Sequence, residues 1–320
     1  CFINPGDVGG RYSALTYFGM VPAALLGLDL ERLAAAADSA VSAARKADSS
    51  ALALGLFLGH WAGNGRDKLC VLLSGDLAAL SVWIEQLIAE STGKRGIGIV
   101  PVEDALLSPE AYSDDLMFVA VTLSEDAELS KRCRRLEAAG YPVQCHTITT
   151  KAALAGEFFR WEFATAVAGA VLGINPFDEP DVTVSKQMTT ALLQGTAEST
   201  SQEWSLLIDD AGFQVYGHRS SGADSGALAT TLGGFLEDLR SGDYLVVLPY
   251  LPAKPAYKSA IETLAVALRE RVEVPVTVNF GPRYLHSTGQ LHKGGASSCV
   301  YVIVTMCSDA DIAIPGEAFG

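Results

Sequence analysis

Between Asp67 and Leu172 the chain alternates short apolar runs of strand length with longer stretches of helical period, and this alternation restricts it to α/β architecture. Asp67 to Leu73 (DKLCVLL), Leu116 to Val121 (LMFVAV) and Pro142 to His146 read as strands. Leu80 to Glu90 reads as a helix ended by Gly93, and Lys131 to Ala139 as a helix stopped by Gly140. Ala152 to Leu172 is a long helix whose many Ala and Gly residues let neighbouring backbones approach closely. Upstream, Pro22 to Asp48 is helical with a break at Gly27-Leu28-Asp29. Downstream, Pro180 stands where a first helical turn accepts it and opens Asp181 to Leu193.

The small polar stretch Gly195 to Gln202 (GTAESTSQ) is the best boundary, dividing the chain into residues 1–194, a linker at 195–202, and a smaller α/β unit at 203–320. In that unit, strands Tyr244 to Leu248 and Val274 to Asn279 flank the helix Ala256 to Arg271, and a further strand runs from Cys299 to Met306. Strand, helix, strand in that order predicts a right-handed parallel crossover. The Ser/Gly-rich stretch Arg219 to Gly226 reads as a flexible loop.

With 49% apolar and 19% charged residues, the 320-residue chain has enough apolar material for a full core. Its net charge of -14 repels phosphate backbones and argues against nucleic-acid binding. A phosphorylated substrate must then be held by local cations. The six cysteines show no zinc-ligand spacing and read as reduced thiols of a cytoplasmic protein. No apolar run reaches the ~20 residues a membrane span needs; the longest, Ala51 to Gly59, is cut off by His60 and Asn64. No signal peptide is visible, and the opening at Cys1 reads as a portion of a longer polypeptide.

Four segments carry chemistry-bearing residues. In Val8-Gly9-Gly10-Arg11-Tyr12-Ser13, two glycines permit a tight turn that aims a permanent cation, suited to a developing oxyanion. In Glu85 to Lys94, Gln86 and Glu90 are four residues apart, off the apolar stripe, so both side chains can meet one ligand. Glu90 sits in the last turn, where the helix dipole disfavours a carboxylate by about 0.3–1 kcal/mol; alone it also reads as a solvated glutamate at a fraying end. Asn175 to Asp181 is a Pro-punctuated loop delivering a helix with Lys186 about a turn and a half inside, which in isolation is also an ordinary surface lysine. Gly281 to Gly295 holds Arg283, His286, Gln290, His292 and Lys293 after a strand, at a carboxyl edge where α/β proteins bind ligands. No carboxylate or Cys accompanies its histidines, so a metal site is not expected there. His60, His146 and His218 read as structural.

Together, GGRYSALTYFG, EQLIAESTGK, GINPFDEPDV with its downstream lysine, and GPRYLHSTGQLHKGG resemble signatures of the phosphoglucose isomerase family, and most of all the isomerase half of bacterial bifunctional transaldolase/glucose-6-phosphate isomerases. The resemblance implies a sugar-isomerase (SIS-type) three-layer α/β sandwich with a mainly parallel sheet, plus the smaller C-terminal α/β unit. It implies interconversion of glucose 6-phosphate and fructose 6-phosphate through a cis-enediol, with no metal and no organic cofactor. Glu90 would be the proton shuttle, with Gln86 beside it, Arg11 steadying the enediolate and Lys186 near the ring oxygen. Gly10, Glu179 and Gln290 join Gln86 as expected substrate-binding positions.

The family's ring-opening histidine lies between its glutamate and lysine, whereas here the His-rich loop follows both. His292 or His286 takes that role by loop chemistry rather than by matched position. Glu179 stands where the family motif has Gln, and the family's Ser/Thr-rich phosphate loop lies upstream of Gly-Gly-Arg. The resemblance therefore implies a missing N-terminal phosphate-binding domain and a transaldolase partner. A non-catalytic sugar-phosphate-binding module of the same fold is the alternative; the oligomeric state is left open.

Overall fold

The structure, a computed structural model, describes residues 1–194, 204–210, 212–217, 228–252, 254–306 and 314–316. Helices α1 (Tyr17–Leu25) and α2 (Leu30–Ala44) come first, separated where Gly27 adopts a φ of +78°. Both start at a side chain that takes up a free amide: Thr16 accepts from Phe18 N–H, and Asp29 from Arg32 N–H. Helix α3 (Ser50–Gly63) begins in the same way at Ser49. It occupies the apolar stretch that sequence reading assigned to no element.

Strand β1 (Lys68–Leu73), helix α4 (Leu80–Thr92), strands β2 (Val100–Val102) and β3 (Leu116–Leu123), helix α5 (Ala127–Ala138), strand β4 (Val143–Ile148) and helix α6 (Leu154–Leu172) follow. The four strands form one parallel sheet in the order β2-β1-β3-β4. Alternate side chains face opposite ways. Leu69, Met117, Val119 and Val121 pack with Leu54, Leu58, Ile84, Leu87 and Trp161 of α3, α4 and α6. Cys70, Leu72, Phe118 and Ala120 pack on the other face with Cys133 and Leu136 of α5. The sandwich the motifs imply is thus present.

The close helix approach is made by α3 and α6. A Cβ at Gly55 or Gly59 would lie 2.5 Å and 2.6 Å from the Cβ atoms of Val167 and Val171. Alanine at either position would push the helices apart.

Helix α7 (Pro180–Leu193) is followed by an antiparallel hairpin, β5 (Ser205–Asp210) and β6 (Phe213–Gly217), and by α8 (Leu228–Glu237). Then come β7 (Tyr244–Tyr250), α9 (Pro255–Arg271), β8 (Val276–Val278), α10 (Gly289–Gly294) and β9 (Cys299–Thr305). These three strands form a second parallel sheet, ordered β8-β7-β9. Tyr244, Val246 and Leu248 turn toward Phe118 and join the core of the first sheet, while Leu245 and Val247 pack with Leu268 and Val276. Buried Lys68 adds a polar tie, its Nζ lying 2.6 Å from Asp67 Oδ1 and 3.0 Å from the Gly242 carbonyl. The expected boundary at Gly195 to Gln202 and the loop Arg219 to Gly226 lie outside the described residues. Among the described residues, no helix is long and apolar enough to cross a membrane.

Candidate active site

Two segments 80 residues apart meet at the end of α4. Helical spacing sets Gln86 one turn before Glu90, and Gln86 Nε2 donates to Glu90 Oε2 at 3.1 Å. The 3-10 turn Gly10–Tyr12 presents Arg11, only 3% exposed, with its Nη1 3.4 Å from Glu90 Oε1. The turn is fixed from both sides: Trp83 Nε1 donates to the Arg11 carbonyl at 3.1 Å, and Arg11 Nε donates to Ser91 Oγ at 2.9 Å.

The rest of the guanidinium is directed at the Pro-punctuated loop before α7. Nη1 donates to Glu179 Oε2 at 3.0 Å, and Nη2 donates to the carbonyls of Pro176 and Asp178, each at 3.0 Å. Ser91, Glu179 and the two carbonyls thus take four of the fork's five N–H groups, and Glu90 stands at ion-pair distance from Nη1. Tyr12 reinforces the junction, donating its hydroxyl to the Pro176 carbonyl at 3.1 Å. Burial pushes the Tyr12 phenol up, opposed by the hydrogen bond with Ser91 and by Arg11.

Lys94 plays a parallel part. Its ammonium, on a side chain 4% exposed, donates to the Asn175 and Asp178 carbonyls and pairs with Asp178 Oδ1 at 2.8 Å. Burial pulls the Lys94 ammonium down, opposed by its bond to Asp178. For Asp178, burial works upward, but the Lys94 bond and charge outweigh it and hold the carboxyl below its ordinary value. Two buried cations therefore gather the loop's carbonyls against the end of α4.

Glu162 of α6 lies within electrostatic reach of Tyr12. Its Oε1 is buried without a hydrogen-bond partner, and desolvation pushes its carboxyl up to about 8.

Of the residues expected from sequence, Glu90, Gln86, Arg11 and Glu179 come together. Gly10 lies exposed on the turn beside them, with open space where a side chain would project. Gln290 is close by but is used differently. Its Oε1 accepts from the Asp181 and Val182 amides at 3.0 and 3.2 Å. Its Nε2 donates to the Gly93 carbonyl at 2.9 Å and to Asp181 Oδ2 at 2.6 Å. Fully buried and saturated, Gln290 joins the start of α7 to the end of α4 and has no capacity left for substrate.

The two histidines of the loop, expected to open the ring, lie apart from this cluster. The His292 ring packs among Tyr244, Tyr284 and Tyr301, and its Nδ1 lies 3.4 Å from the Tyr244 hydroxyl. Burial, then the charge of Lys293, pull its imidazole down to about 4, so it is neutral and poorly basic. His286 is exposed at the end of the 3-10 turn Arg283–His286. Neither contacts Glu90 among the described residues. Lys186 is exposed on α7, about 10 Å along the helix from Glu179 at 1.5 Å per residue, and its side chain does not touch Arg11 or Glu90. His146 is structural as expected, its Nε2 2.9 Å from buried Glu157 Oε1; His218 lies outside the described residues.

Sequence reasoning missed Ser91, Lys94, Tyr12 and Glu162. The first three stand inside the quoted motifs, and a lysine directly after a helix-ending glycine was the available signal. Glu162 lies mid-helix with nothing in its neighbours to mark it.

The fold is a parallel α/β sandwich, and the site is a carboxylate–guanidinium cluster at the end of α4. Over 231 residues the chain is 31% identical to a glucose-6-phosphate isomerase of Rubrobacter xylanophilus, covering 58% of this chain and 53% of that protein. It is 26% identical over 236 residues to that of Leptospira biflexa and 28% over 235 to that of Symbiobacterium thermophilum, covering 60% of this chain and 52% of each protein. The chain is similar to these glucose-6-phosphate isomerases and spans about half the length of the curated relatives it matches. No protein-family model matches it. A hypothetical protein of Thermus thermophilus shares the fold with a TM-score of 0.51 at 23% identity, covering 59% of this chain and 56% of that one.

Proposed function

We propose that this chain carries the proton-transfer residue of an isomerase that interconverts glucose 6-phosphate and fructose 6-phosphate. The supporting observation is the Glu90 carboxylate, 15% exposed, held between the Gln86 amide and the buried Arg11 guanidinium. Glu90 takes the proton from C2 of the open-chain sugar, the C2–H electrons form the C1–C2 double bond, and the carbonyl at C1 becomes an enediol oxygen. Glu90 then returns the proton to C1, the double-bond electrons forming the new C1–H bond, while the O2 hydroxyl proton passes to O1, so that the ketone forms at C2 and a hydroxyl at C1. Arg11 orients the carboxylate and lowers the cost of negative charge beside it. Lys186 is proposed to reach a sugar oxygen from the solvent side of α7. The phosphate is proposed to be held by residues outside these 320, consistent with the two buried cations being committed to the loop before α7.

The test is washout of deuterium from C2-labelled glucose 6-phosphate, in the longest polypeptide that the coding sequence specifies. Glu90→Gln should retain sugar-phosphate binding and lose at least about a hundredfold in washout, within the range of general-base contributions. Lys186→Ala should reduce washout without changing stability. Undiminished washout in Glu90→Gln removes that residue from the mechanism. The coding sequence on either side also tests the proposed transaldolase attachment.

A second reading, a sugar-phosphate-binding module without catalysis, is supported by the commitment of four Arg11 N–H groups to Ser91, Glu179 and the carbonyls of Pro176 and Asp178. Binding with no washout in the unmodified polypeptide would establish it.

A further inference from the structure

A wide opening on the molecule lies away from Glu90. The chain leaves β1 for β2 on one side and then crosses to β3 on the other, so the sheet order β2-β1-β3-β4 reverses direction between β1 and β3. In open α/β sheets the crevice beyond the carboxyl ends of such a strand pair is the place where ligands bind. A cavity of about 610 Å³ occupies that place, lined by Leu73, Ser74 and Ser81 after β1 and by Lys131, Arg132 and Arg135 of α5. Ser74 stitches the two strand ends together, accepting from the Leu123 amide at 2.8 Å.

The charges on this cavity are unevenly used. Three carboxylates line it, Asp104, Asp126 and Glu128. Asp104 is neutralised by Arg132 at 2.6 Å, and Asp126 accepts the Leu129 amide as a helix cap. Arg132 Nε is buried without a partner. Lys131 and Arg135, one turn apart and both exposed, form no ion pair among the described residues, nor does Glu128, so two unpaired cations stand beside one unpaired carboxylate. Backbone strain borders the same opening: Leu106, which lines it, has a φ of +54°, and Ser124, at the end of β3, has a φ of +61°.

We infer that this crevice is a second binding site, for a small organic phosphate whose anionic group meets Lys131 and Arg135 and whose hydroxylated body fills the cavity. The volume fits a small-molecule ligand. The site is distinct from the proton-transfer site, because α4 begins at the crevice and carries Glu90 at its other end. From Ser81 to Glu90 the helix rises about 14 Å. The inference does not depend on the isomerase reading.

Hydrogen–deuterium exchange of the whole chain, with glucose 6-phosphate or inorganic phosphate as the probe, tests it locally. The expected result is saturable protection of peptides covering residues 72–81 and 124–136, stronger with the sugar phosphate than with phosphate alone. Lys131→Ala with Arg135→Ala should weaken that protection at least about tenfold in apparent affinity, as loss of charge-assisted bonds requires. Both side chains are exposed, so the variant keeps its fold, and unchanged urea unfolding checks this. Protection of residues 86–94 should be the same in the variant and the parent. Absence of protection in both crevice peptides, or equal protection in the double variant, overturns the inference.

Discussion

Glu162 offers the most quantitative test of the electrostatics around the candidate site. Its carboxyl rises from an ordinary 4.5 to about 8 because burial penalises the charged form, and its Oε1 has no hydrogen-bond partner to offset that penalty. In the unfolded chain the group titrates near its ordinary value. Its contribution is therefore intact below about pH 4.5 and is lost as pH rises through the folded value near 8. At about 1.36 kcal/mol per unit, the loss is roughly 4–5 kcal/mol across the whole window and roughly 3 kcal/mol by pH 7. Glu162→Gln keeps the shape and removes the ionisation. Urea unfolding of both proteins at pH 5, 7 and 8.5 should show the variant gaining on the parent at each step, because all other groups titrate in both. Parallel stability profiles would refute the reasoning, and would mean that Glu162 is solvated in the folded chain.

Arg11→Ala leaves Glu90 and Glu179 facing each other over an emptied, buried site and should destabilise the chain by about 3–5 kcal/mol. Arg11→Lys should recover less than half of that, because an ammonium cannot span acceptors arranged for a planar fork; chemical denaturation measures both. Gln290→Ala removes four hydrogen bonds at the α4–α7 junction, and a loss of about 2–4 kcal/mol is expected, with sugar-phosphate affinity changed less than twofold. A fall in affinity without a fall in stability would restore Gln290 as a substrate ligand. The His292 imidazole should titrate near 4 in the folded chain, so its stabilising contribution is complete above its unfolded value and fades as pH falls from about 6.5 toward 4. An NMR titration midpoint near 6.5 would show that the aromatic cage is open.

Six of the nine described strands and most helices were legible because apolar pattern and glycine stops are local properties, whereas the hairpin β5–β6 was not read. Helix α3 was not, since Leu54, Leu56, Phe57 and Leu58 give an almost continuous apolar run in which no polar face marks the period. Strand β2 is three residues long and too short to carry alternation. In the site, the pairing of Gln86 with Glu90 follows from helical spacing and was readable directly. The meeting of Arg11 with Glu179, 168 residues later, was available only through the resemblance. The histidines show why position along the chain is not enough. Position after a strand predicts a sheet edge, but the face of α10 decides the direction of each side chain: Gln290 faces Gly93 and Asp181, and His292 faces Tyr244 and Tyr301.

The same long-range contacts explain why a chain with a net charge of -14 can keep a carboxylate poised beside a cation. Arg11 and Lys94 are both buried and both donate to carbonyls of the 175–178 loop, so their desolvation is offset by fixed dipoles and by the Asp178 and Glu179 carboxylates. Neither cation can swing out to solvent. Glu179 competes with Glu90 for the same Nη1 atom, at 3.0 against 3.4 Å, and its side chain is the more exposed of the two, 40% against 15%. Any further acceptor at Nη1 must share it with Glu179, the nearer of its two carboxylates.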